Sequence, residues 1–136
     1  MLTKNPIKGS TSRCERVRAD DAQFREALQA HSRQEANVVI TDFRGLKDLP
    51  TGNRFLIYTV FPAANISVRL FDGRAGLFTV AALGHSIFNR TSKSNIGELL
   101  AQYGGGGHRG AGTTQFPPAE ADAKIAEIIE QLKKDG

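Results

Sequence analysis

Hydrophobic and polar positions along this chain change period several times, and each change predicts an element. Phe24, Ala27, Leu28 and His31 recur at i, i+3, i+4 and i+7, the spacing of one helix face. Asp20 and Asp21 precede them and suit a first helical turn, where carboxylates meet free N–H groups. Asn37 to Phe43 is rich in β-branched residues and predicts a strand. Arg44 to Gly52, with Gly45, Pro50 and Gly52, predicts a turn-forming loop. Arg54 to Phe61 is nearly all apolar, which predicts a central strand covered on both faces, and Pro62 to Ala64 then makes a short connection. Ile66 to Phe71 alternates until its last two residues, Asp72-Gly73 signals a turn, and Leu77 to Gly84 predicts a fourth strand. The last three strands are close in sequence, so antiparallel meander connections are expected.

From Gly84 to Ser94 the chain turns polar, with Asn89, Arg90, Lys93 and several hydroxyls. Asn95 with Glu98 three residues later resembles a capping box. Ile96, Leu99, Leu100 and Tyr103 give the stripe of a short amphipathic helix, which a run of glycines ends. Gly112 to Phe116 predicts a fifth strand, stopped by Pro117-Pro118, with Pro118 in the first turn of a last helix. In that helix Ala121, Ile125, Ile128, Ile129 and Leu132 form the stripe to be buried. Glu120 with Lys124, and Glu130 with Lys134, are spaced for pairing. The expected architecture is an α/β domain over residues 19–136, a five-stranded mixed, mostly antiparallel sheet packed with about three helices. Residues 1–18 have no hydrophobic period and read as a polar basic tail or the remnant of a linker.

Composition narrows the function classes. At 136 residues, 40% hydrophobic and 24% charged, the chain has room for one core of ordinary globular type. No apolar run approaches the roughly 20 residues of a membrane helix, and the start of the chain lacks a secretory h-region. Cys14 is the single cysteine, which excludes an internal disulfide and any multi-cysteine metal site. No membrane partner and a cytoplasmic location are the expectations. The net charge of +4 sits entirely in residues 1–18, where five basic side chains face one acidic one. The body is neutral, so any recognition of an anion has to be local.

The local candidate is Gly104-Gly105-Gly106-Gly107-His108-Arg109-Gly110. Gly105, Gly107 and Gly110 satisfy G-x-G-x-x-G formally, but the dinucleotide fingerprint needs a strand before it and a helix after it. The order here is helix, glycines, strand, and no Gly-Lys-Ser/Thr follows to make a phosphate-binding P-loop. A linker reading leaves only about 24 residues beyond the run, too few for a separate domain. Helix-to-strand punctuation needs one or two glycines rather than four. As an anion cradle the run makes sense, because unobstructed backbone N–H groups form a concavity for phosphate oxygens. His108 adds a donor and Arg109 a charge-assisted one.

Gly-Gly-Gly-Gly-His followed three residues later by Ala111 resembles the signature of the DHH-associated C-terminal domain, which accompanies the DHH phosphoesterases. That superfamily includes single-strand exonucleases, oligoribonucleases, cyclic-dinucleotide phosphodiesterases and exopolyphosphatase-like proteins, and a related domain ends alanyl-tRNA synthetases. The resemblance is strongest from about Gly84 to Leu132, and Gly-His-Ser-Ile-Phe-Asn-Arg-Thr-Ser at 84–92 is similar to the exopolyphosphatase-like branch. It implies a substrate-binding role, in which this domain holds the phosphate or nucleotide end while an N-terminal DHH domain cuts. Gly104, Gly105, Gly106, Gly107 and His108 match the phosphate-contacting loop, and Arg90 matches the arginine before the helix that also reaches phosphate. Arg109 and Asn89 join them on chemistry alone. Where many members have Ala-Ala-Gly, this chain has Ala111-Gly112-Thr113, which changes the exit from the loop.

The resemblance also implies two manganese ions held by Asp and His residues of the N-terminal domain, including an Asp-His-His run. This sequence has no such run, and its histidines are His31, His85 and His108. No catalytic residue, metal ligand or cofactor is therefore expected in this chain. The expected partners are a phosphate-containing substrate (short oligonucleotide, nucleotide or polyphosphate) and an N-terminal DHH catalytic domain. The alternative is a free-standing module for single-stranded nucleic acid without hydrolase activity, for which only Tyr103 and Phe88 lie close enough to stack on bases. Of the remaining side chains, His31 is expected to pack, Asp42 to hydrogen-bond at a strand end, and Cys14 to be inert. His85 either lines the cleft beside Arg90 or packs under the sheet edge.

Overall fold

The computed structural model describes residues 22–46, 56–73, 76–86 and 91–136. The helical period at Phe24 and Leu28 is realised as a helix, α1, over residues 22–31. Strand β1 (Ser32–Glu35) follows and turns back into β2 (Val38–Asp42). Ala36 in that turn has a φ of 54°, a left-handed conformation that costs a residue with a Cβ about 1–2 kcal/mol. A short helix, α2 (Ile57–Val60), precedes β3 (Ile66–Asp72) and β4 (Thr79–His85). Helix α3 (Ile96–Ala101), strands β5 (Gly106–His108) and β6 (Ala111–Phe116), and the long helix α4 (Pro118–Asp135) complete the described chain.

The strands form one sheet in the order β1-β2-β3-β4-β6-β5. All neighbours are antiparallel except β2 and β3, where Val38 lies opposite Ile66 and Ile40 opposite Val68 in parallel register. Alternation sends Val38, Ile40, Ile66, Val68, Leu70, Ala81 and Leu83 to one face. There they meet Ile96, Leu99 and Leu100 of α3 and the whole predicted stripe of α4, Ala121 to Leu132. Each Val, Leu and Ile side chain among these contributes about 1.5–3 kcal/mol by leaving water. On the other face Val39 and Phe43 pack with Phe24 and Leu28 of α1 and Ile57 and Tyr58 of α2. The sheet is thus sandwiched, with α3 and α4 on one side and α1 and α2 on the other.

Several expectations need correction. The sheet has six strands among the described residues, and four helices flank it. The apolar run predicted as a strand at Arg54 to Phe61 is helical at Ile57–Val60, with residues 51–55 outside the described set. An unbroken apolar run looks the same for a buried strand and a buried helix. Topology decides it: β2 and β3 are parallel, a tight turn cannot join parallel strands, and α2 lies in the crossover. The meander therefore holds for β3 and β4 only. Strand β1 escaped notice because Ser-Arg-Gln-Glu has no apolar alternation, and it sits at a sheet edge with Arg33 and Gln34 exposed. Strand β5 is made by the glycine run itself. Glu130 pairs with Lys133 at 2.7 Å rather than with Lys134, and Lys133 also reaches Glu35 of β1 at 3.6 Å.

His31 packs edge-on against Phe43 with ring centroids 5.6 Å apart, and Asp42 receives hydrogen bonds from Arg44, as their spacing suggested. Residues 1–18, with Cys14, and the predicted helix start at Asp20-Asp21 lie outside the described residues. No helix among the described residues is long and apolar enough to cross a membrane.

Candidate phosphate-binding site

Helix α3 opens where the sequence predicts. Asn95 is its N-cap, and the Asn95 carboxamide oxygen accepts the Glu98 N–H at 3.2 Å. The helix ends in the glycine run. The Gly105 N–H donates to Leu100 O at 2.9 Å and the Gly104 N–H to Ala101 O at 3.3 Å, the two bonds of a Schellman cap. Gly104 takes the left-handed position of that cap, with φ of 80°. Two of the four N–H groups expected to face an anion are thus committed to ending the helix.

The remaining glycines let backbones touch. A Cβ at Gly107, where φ is 153°, would overlap the Ala111 carbonyl across the β5–β6 pair. One at Gly105 would stand 2.5 Å from Thr113 O, and one at Gly97 of α3 only 2.7 Å from Gly107 O. Strand β5 is therefore wedged between β6 and α3. Gly106 alone of the run has nothing within 4 Å of a Cβ position without needing a positive φ.

His108 and Arg109 stand at the tip of the β5–β6 hairpin, and both are exposed. The Gly110 N–H donates to His108 Nδ1 at 3.1 Å. That bond makes Nδ1 the acceptor of the ring, so the neutral imidazole carries its proton on Nε2, the outward donor. Arg109 pairs with no carboxylate among the described residues. Other arginines are committed: Arg33 to Glu35 at 2.9 Å, and Arg44 to Asp42 at 2.7 Å and Asp122 at 2.6 Å. Those bonds raise the Arg44 pKa, while the hydrogen bonds from Arg44 hold the Asp42 carboxyl below its ordinary value.

The tip is rigidly seated. Arg109 O accepts the Ile96 N–H at 3.1 Å, which joins it to the start of α3, and Gly110 O accepts the His85 N–H at 2.9 Å, which joins it to the end of β4. His85 resolves as an anchor: its Nε2–H donates to Ser94 O at 2.8 Å, and the buried Ser94 hydroxyl donates to Asp135 of α4 at 2.8 Å. Ser94 and Asp135 carried no signal in the sequence, since each does its work through a bond to a distant segment. Asn89 and Arg90 lie outside the described residues, in the segment that follows Ser86. Tyr103 packs against Phe116 at 5.9 Å and 87°, with its hydroxyl on Glu127, so its ring serves the core; Phe88 lies outside the described residues. Among the described residues no three His, Cys, Asp or Glu side chains are grouped so as to hold a metal ion, so the manganese pair finds no fitting donor set there.

No protein-family model and no curated protein sequence matches the chain. Solved structures do. The pGpG-specific phosphodiesterase PggH from Vibrio cholerae superposes with a TM-score of 0.88 and 39% sequence identity, over 93% of this chain and 43% of its own. The chain is a DHH-associated domain of the DHH phosphoesterase superfamily. An exopolyphosphatase-related protein from Bacteroides fragilis shares the fold, with a TM-score of 0.61 and 15% identity over 85% of this chain and 35% of its own. The domain thus spans less than half the length of either protein.

Proposed function

We propose that this domain is the substrate-gripping part of a DHH-type phosphoesterase, and that it holds the phosphate end of a short oligonucleotide of the pGpG kind. The observation that carries the reading is the hairpin tip. There an outward Nε2–H of His108 and the exposed Arg109 stand together on a support tied to both α3 and β4. A phosphate oxygen beside them would gain one directed hydrogen bond and one charge-assisted one without reorganising the backbone. Arg90, Asn89 and the glycines 104–107 complete the proposed site. The similarity to a pGpG phosphodiesterase supports the choice of ligand class.

The domain grips and a metal-bearing DHH domain cleaves. Holding one phosphate fixes the next bond in front of the partner's metals, which converts binding energy into orientation. Titrating pGpG into the chain and into His108→Ala, Arg109→Ala and Arg90→Ala tests this. Each variant is expected to weaken binding several-fold or more, and the wild-type chain is expected to leave pGpG intact in manganese. Chelator-sensitive hydrolysis by the chain alone overturns the non-catalytic role, and equal affinity in all three variants removes the site.

A further inference from the structure

Three stretches of chain meet behind the hairpin tip, and each is bonded to the other two. The end of β4 reaches the tip through the His85 N–H, which donates to Gly110 O at 2.9 Å. The tip reaches the start of α3 through Arg109 O, which accepts the Ile96 N–H at 3.1 Å. The start of α3 reaches back to β4 through Ser94 O, which accepts the His85 Nε2–H at 2.8 Å. The ring is closed, and His85 supplies two of its three donors. Two links join main chain to main chain, so any residue with an N–H at 85 and 96 could make them. Only the third depends on a side chain, because it needs a donor at the reach of Nε2.

The geometry points to His85 as a positioning residue for His108 and Arg109. Its ring sets the spacing between the end of β4 and the start of α3. That spacing sets where the tip sits, because the consecutive carbonyls of Arg109 and Gly110 bridge the same gap. The acceptor of the third link is itself held from the far side. Ser94 is 1% exposed, and its hydroxyl donates to Asp135 Oδ2 at 2.8 Å. Asp135 is steadied in turn by Gln131 Nε2, one helical turn back in α4, at 3.0 Å. With the third link gone, the tip's own two bonds carry any displacement between β4 and α3. The donors at 108 and 109 must then be ordered as a phosphate arrives, which weakens binding. His85 acts through the tip and not on the ligand. This inference rests on the proposed function, in which the tip grips phosphate.

Two variants of equal reach separate positioning from packing. His85→Gln keeps an N–H donor as many bonds from Cα as Nε2 of the ring, and His85→Met keeps the length without the donor. With the whole chain and pGpG as the probe, His85→Met is expected to bind about fivefold more weakly, and His85→Gln within about twofold of wild type. Amide hydrogen exchange of the free protein reads the seating of the tip directly. The N–H groups of residues 85 and 96 should exchange about tenfold faster in His85→Met and at the wild-type rate in His85→Gln. Where a melting curve shows His85→Met unfolded, Asp135→Ala takes its place with the same expected losses, since it releases Ser94 at the end of α4. Wild-type affinity or wild-type exchange in the variant that lacks the link overturns the proposal, as does a loss that His85→Gln fails to repair. Failure of the phosphate reading looks different: His108→Ala and Arg109→Ala then bind pGpG as wild type does, and this inference falls with it.

Discussion

At Gly106 and Gly107, neighbours in a run that reads as uniform, the same substitution should have very different outcomes. Ala at Gly107 meets the Ala111 carbonyl in a backbone conformation that disfavours a Cβ, and should cost about 3 kcal/mol by chemical denaturation. Ala at Gly106 enters open space and should change stability by under about 0.5 kcal/mol. The sequence suggested that four glycines exceed what a helix stop requires. Steric approach of α3, β5 and β6 accounts for the surplus at Gly105 and Gly107, and no spacing in a sequence announces a contact between backbones. Asp42 makes a second prediction at this scale. Its carboxyl ionises more easily folded than unfolded, because Arg44 donates to it. Its stabilisation is therefore complete above the ordinary value of 3.8 and disappears as pH falls through the lowered native one. Asp42→Asn should lower stability near pH 6 by about 0.5–1 kcal/mol, discounted for its partial exposure, and the gap to wild type should close in the acid limb.

Helix α3 is six residues long, too short to persist in water by itself, so its ends carry it. Asn95→Ala removes the N-cap bond and should cost about 1 kcal/mol in a urea titration, with an unchanged m-value. A loss of several kcal/mol would mean the cap also holds the hairpin tip through Ile96 and Arg109. Elements with strong local signals were legible: α3 from its cap and stripe, α4 from Pro118 and its five buried residues, and β3 and β4 from their alternation. Elements defined by their neighbours were not. Strand β1 is a strand because β2 pairs with it, and α2 is a helix because the chain must cross between parallel strands. Asn65 belongs with these, being an unremarkable polar residue before a strand until its five hydrogen bonds, to Asn37, Ser86, Thr91 and Gly136, are assembled.

For the molecule as a whole, the excess charge and the candidate site are separable. Residues 1–18 hold all of the net +4, while the hairpin tip holds its own donors. Removing 1–18 should therefore slow association with pGpG at low salt while changing the equilibrium affinity less than about threefold, as stopped-flow and equilibrium titrations can read separately. A tenfold loss of affinity would bring those basic residues into the site. The core should be far less forgiving: Leu132→Ala, at a fully buried position of α4, is expected to cost about 2–5 kcal/mol.

The two borders of the sheet give the domain a social property. At one, β1 is four residues long, and its exposed Arg33 is paired to Glu35, so an incoming strand meets charges rather than an apolar rail. At the other, β5 is three residues long and α3 lies against it closely enough that Gly97 admits no side chain. Neither border offers a template for another chain's backbone. Both borders among the described residues are thereby guarded against strand-to-strand pairing of copies.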